Sequence, residues 1–275
     1  MQASPSFKIR ALSRNPGKHR GLADEVAEAD LSRPETLAAA FDGAYGVFLA
    51  TNFWEPGTDE VKQATAATAA AKQAGVKHFI WSTLPDVEAI SRGKFHLPHF
   101  TGKARVEPIV REAGFLYHTF VIAPFYYQNL TEVLRPTLQP DGSKGWALPI
   151  DPAIRCIHMG DIGGLGNLVM GAFSHPDLAG NGEHLPLAGD FMSFNEIIDT
   201  LDHLGHKFSF KQIPKEAFAA LFPGGAEAAE TFGYFQTHTY LGADFSEQIA
   251  LANKISGGPP TSFSKWATLY HHLFT

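Results

Sequence analysis

Near the start of the chain Phe7, Ile9 and Ala11 are interleaved with Lys8, Arg10 and Leu12, and the pattern breaks at Asn15-Pro16-Gly17. Alternation that ends in a Pro-Gly turn predicts a strand over residues 7–15. Short apolar runs recur at 47–51, 78–83 and 117–123, each separated from the next by a stretch of helical character. That rhythm predicts a parallel sheet and an α/β, Rossmann-like doubly wound fold. Residues 23–31 read as a further short strand ending at Asp30. Ser32 and Glu35 then have capping-box spacing, with Pro34 in the first turn, for a helix that runs to Phe41 and stops at Gly43. Thr58 is the expected cap of a long alanine-rich helix, with Asp59 and Glu60 complementing its dipole and Gly75 ending it. Pro108 lies inside a helical stretch over 95–114 and should kink it just after Lys103. From Tyr126 onward the alternation fades into a smaller α+β lobe, where 194–204 and 216–222 read as helices and 208–213 as a strand. The expected division is a Rossmann-like part over 1–125 and a substrate- or partner-side lobe over 126–275, interleaved with the first.

Composition narrows the function classes. The 275 residues are 44% hydrophobic and 18% charged, enough to bury a substantial core. A formal net charge of -6 without any dense Lys/Arg run argues against direct nucleic-acid binding, which needs clustered cations. A single cysteine, Cys156, cannot form an internal disulfide and is read as a buried small hydrophobe. The first residues carry neither a basic nor an apolar leader pattern, and no stretch is apolar enough to span a bilayer, so the expectation is a cytoplasmic or nuclear protein. The 13 histidines show no metal-ligand spacing, and neither a Gly-x-Ser-x-Gly elbow nor a Walker loop is present.

The candidate chemistry sits at strand ends. Arg14 and Lys18 bracket the loop after the first strand, where a doubly wound fold can present cations to a phosphate on an adenine ribose. Asp30, at the end of the second strand, could touch an adenine or its ribose, or be a solvated strand-end carboxylate. Thr51 and Asn52 end the next strand and could face a cofactor. Ser82 and Thr83 end another; hydroxyls there either orient a carbonyl or satisfy loop backbone. Short-chain dehydrogenases pair a tyrosine acid with a lysine four residues later on one helical face. None of the 7 tyrosines has a lysine at that offset. Where the pair belongs the chain reads His99-Phe100-Thr101-Gly102-Lys103, so the lysine is present and a histidine replaces the phenol. Lys103 could hydrogen-bond a nicotinamide ribose and His99 could move a proton near neutral pH, though a lone histidine is more often structural. The glycines of 160–166 match Gly-x-x-Gly-x-x-Gly after a strand-like run. Without a following βα unit, and with Asp161 beside any phosphate, they are read instead as a helix start capped by Asp161. Phe232, Tyr234, Phe235 and Tyr240 are read as core in preference to a pocket lining.

Taken together, residues 7–16, 44–55, Lys62-Gln63, 99–103 and the run Pro-Phe-Tyr-Tyr-Gln-Asn-Leu at 124–130 resemble the NmrA-like family, an atypical branch of the short-chain dehydrogenases. The resemblance covers most of the chain and weakens toward its C-terminus. It implies NADP(H) as cofactor, with Arg14 and Lys18 on the 2'-phosphate, Thr51 and Asn52 along the middle of the dinucleotide, and Lys103 on the nicotinamide ribose. Tyr126 and Asn129 would flank the nicotinamide side. It also implies either of two roles. One is a redox-responsive regulator or sensor acting on a protein partner without dehydrogenase catalysis. The other is a reductase or redox-neutral isomerase of an aromatic or polycyclic small molecule, using His99, Lys103, Tyr126 and Tyr127. One departure is large. The family opens with a strand, a glycine-rich turn and a helix that cradle the pyrophosphate, whereas Phe7 corresponds to its second strand. The expectation is a sheet lacking its usual central strand, in a shortened form of a longer protein or in a natural variant. A homodimer across the exposed edge would follow.

Overall fold

The computed structural model describes residues 7–242 and 244–274. Two parallel strands open it, β1 (Arg10–Ser13) and β2 (Glu25–Glu28), and they form a separate two-stranded sheet. The chain returns through α1 (Leu37–Phe41) to β3 (Gly46–Leu49), then α2 (Glu60–Gln73) and β4 (His78–Thr83). The short α3 (Val87–Ile90), α4 (Pro98–Ala104) and α5 (Glu107–Glu112) lead to β5 (Tyr117–Ile122). There follow β6 (Phe125–Tyr126), β7 (Thr137–Leu138), β8 (Lys144–Leu148) and β9 (Ile157–Gly160), then α6 (Leu165–Ser174), α7 (Pro176–Ala179) and β10 (Asn181–Pro186). The last segment holds β11 (Asp190–Met192), α8 (Phe194–His203), β12 (Phe208–Gln212), α9 (Lys215–Ala219), α10 (Gly225–His238), α11 (Ser246–Ile255) and α12 (Phe263–Tyr270).

The main sheet has the order β10-β5-β4-β3, with every pair parallel. Its central strand β4 is buried at every position, the state of a parallel strand covered on both faces. One face is covered by α1, α2 and α5. Ala64, Ala67 and Ala71 of α2 are fully buried, and their small side chains let that helix lie close on Phe79 and Trp81. The other face is covered by α6 and α11, which close on Ile80, Val121 and Leu185. There α6 touches α11 so closely that a Cβ at Gly171 would lie 2.3 Å from the Ile255 carbonyl oxygen. A larger core collects the aromatic residues of the later segment, Phe232, Tyr234, Phe235 and Tyr240 among them, as expected for packing residues. Cys156 is buried there too, and burial pushes its thiol up to about 12.

β1 and β3 are not joined by a ladder. Among the described residues the sheet is therefore split between them. Phe7, ahead of β1, stacks on Tyr45, ahead of β3, at 6.0 Å, while Arg14, after β1, pairs with Glu55, after β3. Starts meet starts and ends meet ends, so the two strands run in the same direction across the gap.

Several local expectations need correction. Asp59, not Thr58, caps α2, accepting from the Lys62 amide, because the carboxylate reaches the free N–H groups one residue nearer the helix. Ser32 forms no capping box. Its hydroxyl accepts from Gln63 Nε2, and the chain enters α1 through a 3-10 turn at Pro34–Thr36. The helix of 216–222 is the shorter α9. The Pro108 break falls as expected, with the proline in the first turn of α5 and α4 ending at Ala104. Asp161 caps the start of the glycine-rich run, accepting from Gly163 N at 2.9 Å, so the run opens a helix as read.

Candidate functional site

The carboxyl ends of β1 to β4 converge on one edge, and two clusters of charge occupy it. The inner one is built by β3, α2 and α4. β3 delivers Thr51, α2 presents Glu60 in its first turn, and α4 projects Lys103 between them. The Lys103 ammonium donates to Glu60 Oε1 at 2.6 Å, to the Thr51 carbonyl at 2.9 Å and to Thr51 Oγ1 at 3.1 Å. Thr51 Oγ1 in turn donates to Glu60 Oε1 at 2.5 Å. These three acceptors match the three protons of an ammonium. The Lys103 and Glu60 side chains are only 13% and 3% exposed, so the pair is a buried one, and Glu60 Oε2 lies buried without a partner. Trp81, fully buried in β4, donates its Nε1–H to the Lys103 carbonyl and so fixes α4 on the sheet.

One helical turn before Lys103, on the same face of α4, His99 Nδ1 lies 2.5 Å from Glu227 Oε1 of α10. A carboxylate only accepts, so Nδ1 carries the proton and Nε2 is the free acceptor of the neutral ring. Burial lowers the His99 pKa, against the pull of the Glu227 carboxylate, and the Lys103 ammonium lowers it further; the imidazole is therefore neutral near pH 7. Phe53 and Trp54 pack on that ring at 5.9 and 5.2 Å, and Trp54 itself is 68% exposed. The result is an oriented imidazole under an aromatic rim.

The outer cluster is exposed. Arg14 Nη1 donates to Glu55 Oε1 at 2.5 Å, and both side chains face solvent. Asp30 lies near enough to add to the field on Arg14. Its own carboxylate accepts from the Ser32 amide at 2.8 Å, so the Asp30 side chain shapes the loop after β2. Lys18 sits exposed in the single 3-10 turn Pro16–His19. Asn52 also makes a turn, its Oδ1 accepting from the Trp54 amide.

The predicted residues are thus brought together only in part. Thr51, Lys103 and His99 share one buried cluster, and Arg14, Lys18 and Asp30 share the adjoining exposed edge. Tyr126 is half-buried in β6, where burial raises its phenol, and Asn129 follows in the turn Tyr127–Leu130. Neither touches His99 or Lys103. Tyr127 departs from expectation: it points into the core, donates to Asp190 Oδ2 at 2.6 Å and packs on Phe263 and Trp266. Thr83 likewise donates to Glu107 Oε1 at 2.8 Å. Sequence reading missed the two carboxylates that hold the inner cluster. Glu60 was legible only as a first-turn acid, and Glu227 lies 128 residues from its partner with no local signal.

These residues suit the two ends of an NADP(H) molecule. Arg14 and Lys18 would face the adenine-side phosphate, and Thr51, His99 and Lys103 would serve the nicotinamide side. Between them, among the described residues, no glycine turn of backbone N–H groups stands at the split of β1 and β3 for the pyrophosphate.

A sequence model of the NmrA-like family matches residues 1–267. An NmrA-like family domain-containing protein of Dictyostelium discoideum is 30% identical over 214 residues, spanning 74% of this chain and 70% of that protein. An NmrA-like family domain-containing oxidoreductase of Aspergillus hancockii is 28% identical over 281 residues, 90% of this chain and 82% of its own length. The crystal structure of NmrA, a negative transcriptional regulator, in complex with NADP superposes with a TM-score of 0.77 at 23% identity, over 94% of this chain and 86% of that one. The last likeness shows the fold, a Rossmann-like α/β architecture with a parallel sheet.

Proposed function

The chain belongs to the NmrA-like family, and from that premise we propose that it is an NADP(H)-associated, redox-responsive regulator that works without dehydrogenase catalysis and signals to a protein partner. One observation carries the reading: the lysine that a dehydrogenase would couple to a tyrosine is committed to a buried ion pair with Glu60, and the residue four positions before it is a neutral imidazole held by Glu227. No phenol stands ready as an acid on α4. NADP(H), when bound, supplies a nicotinamide whose charge differs between its two redox states. Lys103 would then set the charge at the nicotinamide end of the site, Thr51 and His99 Nε2 would offer hydrogen-bond partners, and Arg14 with Lys18 would select the phosphorylated ribose. Because Phe53 and Trp54 pack on His99 at the surface, a change in what His99 bonds alters an exposed aromatic face. The kinship with a negative transcriptional regulator supports this reading.

A second reading draws on the oxidoreductase relative and on the aromatic rim over His99: reduction or redox-neutral isomerisation of an aromatic or polycyclic small molecule, with His99 Nε2 taking or returning a proton. Calorimetric titration with NADPH and NADH, followed by a search for NADPH consumption, tests the two together. Regulation predicts binding that favours NADPH with no turnover. Turnover requiring both a small substrate and His99 would replace it with the enzyme reading. Binding to neither nucleotide would end both.

A further inference from the structure

The bond between His99 and Glu227 joins the cofactor edge to α10. That helix begins at Gly224, in the left-handed region at φ 90°, and no side chain caps its first turn. Glu227 stands three residues past the cap, the position from which a glutamate can turn back to satisfy its own helix start. Here it reaches away instead, to His99 Nδ1 at 2.5 Å. The one carboxylate thus has two alternative sets of donors, the imidazole N–H and the amides at the start of α10. Two turns further on, Tyr234 and Phe235 pack on Phe100 at 6.4 and 6.3 Å and hold the helix against α4 whatever Glu227 does. The first turn is also coupled to α9. A Cβ at Gly225 would lie 2.6 Å from the Ala219 carbonyl oxygen, and Lys215 of α9 pairs with Glu230 of α10. Between the two helices Leu221 and Phe222 are exposed.

Hydrogen-bond chemistry makes this joint conditional on what meets the imidazole. The ring is neutral, with Glu227, Glu60 and Lys103 as its charged neighbours, and so carries a single proton. A ligand group that donates to Nε2 keeps that proton on Nδ1, facing Glu227. A ligand group that accepts from Nε2 needs the proton there, and Nδ1 then turns a lone pair toward the carboxylate, which is repelled. The exchange moves one proton between the two nitrogens by way of water and leaves the net charge as it was. We propose that Glu227 is a relay, carrying the hydrogen-bonding state of His99 to the first turn of α10 and through it to the α9–α10 hairpin. The relay rests on the regulator reading and adds the moving part to it. A carboxylate suits the task because it accepts and never donates. A carboxamide in its place would accept from Nδ1–H with its oxygen or donate to a bare Nδ1 with its nitrogen, and would stay attached in either case.

Hydrogen exchange on the whole chain tests the relay. Without nucleotide, Glu227→Ala should speed exchange across residues 215–231 about tenfold, as expected for losing a hydrogen bond to a charged group, and spare 232–238. His99→Phe, which removes the bond from its other end, should do the same and decides the matter if Glu227→Ala does not fold. NADPH, at a saturating level set by calorimetry, should alter exchange across 215–231 in the unmodified protein and not in Glu227→Gln. Variants that exchange like the unmodified protein would overturn the relay, as would NADPH that binds without altering 215–231 or an equal response in Glu227→Gln. Failure of NADPH to bind would defeat the regulator reading instead, and the relay would then stand or fall on the nucleotide-free variants.

Discussion

The four-stranded block β10-β5-β4-β3 and the two-stranded wing β1-β2 hold the same kind of interaction in different surroundings. In the block, Lys103 and Glu60 pair at 2.6 Å under almost complete burial; at the junction with the wing, Arg14 and Glu55 pair at 2.5 Å in solvent. Distance alone would rank them as equals. Burial separates them, because a buried charge deprived of its partner has no water to turn to, whereas an exposed one has. The inner pair is therefore architecture that also sets the site's charge, and the outer pair is an exchangeable contact that a phosphate can displace at little cost.

The difference breaks most visibly at Glu60. Glu60→Ala leaves the Lys103 ammonium buried without its counter-charge and should cost about 3–5 kcal/mol in urea unfolding. The double variant Glu60→Leu with Lys103→Met should cost less than Glu60→Ala alone, since it removes both charges together. Acid comes next. Burial lowers His78 and His158 to about 4, so both stay neutral in the folded protein while their unfolded counterparts protonate below about 6.5. The unfolded chain then binds more protons, and stability is lost as pH falls from about 6.5 toward about 4, by up to about 1.4 kcal/mol per pH unit for each histidine. His78 Nε2 donates to Thr119 in the heart of the block, and His78→Gln should flatten that slope when unfolding is followed against pH. Smaller still is the effect of Arg14→Ala on stability, because the exposed pair with Glu55 is screened by solvent. Its consequence should appear in calorimetry as a loss of the preference for NADPH over NADH. The smallest change is a gain: Glu55→Gln frees Arg14 and removes a like charge from the phosphate, and should tighten NADPH modestly while leaving NADH unchanged.

Much of the block was legible in the sequence, because buried parallel strands announce themselves as apolar runs and each strand end delivers its polar residues to one edge. Thr51 was read that way, and His99 and Lys103 from the four-residue spacing at which a tyrosine–lysine pair belongs. The wing was legible in outline, down to the gap between β1 and β3 among the described residues. What could not be read was partnership across distance. Glu227 meets His99 from α10, and Tyr127 turns inward because Asp190 waits there for its hydroxyl, contacts made by packing with no local pattern. Capping was misplaced by a single residue at Asp59, as is usual where two candidate side chains adjoin the first turn.

Hydrogen exchange with and without NADPH tests most directly whether a nucleotide lies along this edge from Arg14 to Lys103. The expected result is slowed exchange over residues 14–18, 51–60 and 98–104, with NADH reproducing the last two and sparing the first. Unchanged exchange across all three, or protection confined to other parts of the chain, would contradict it.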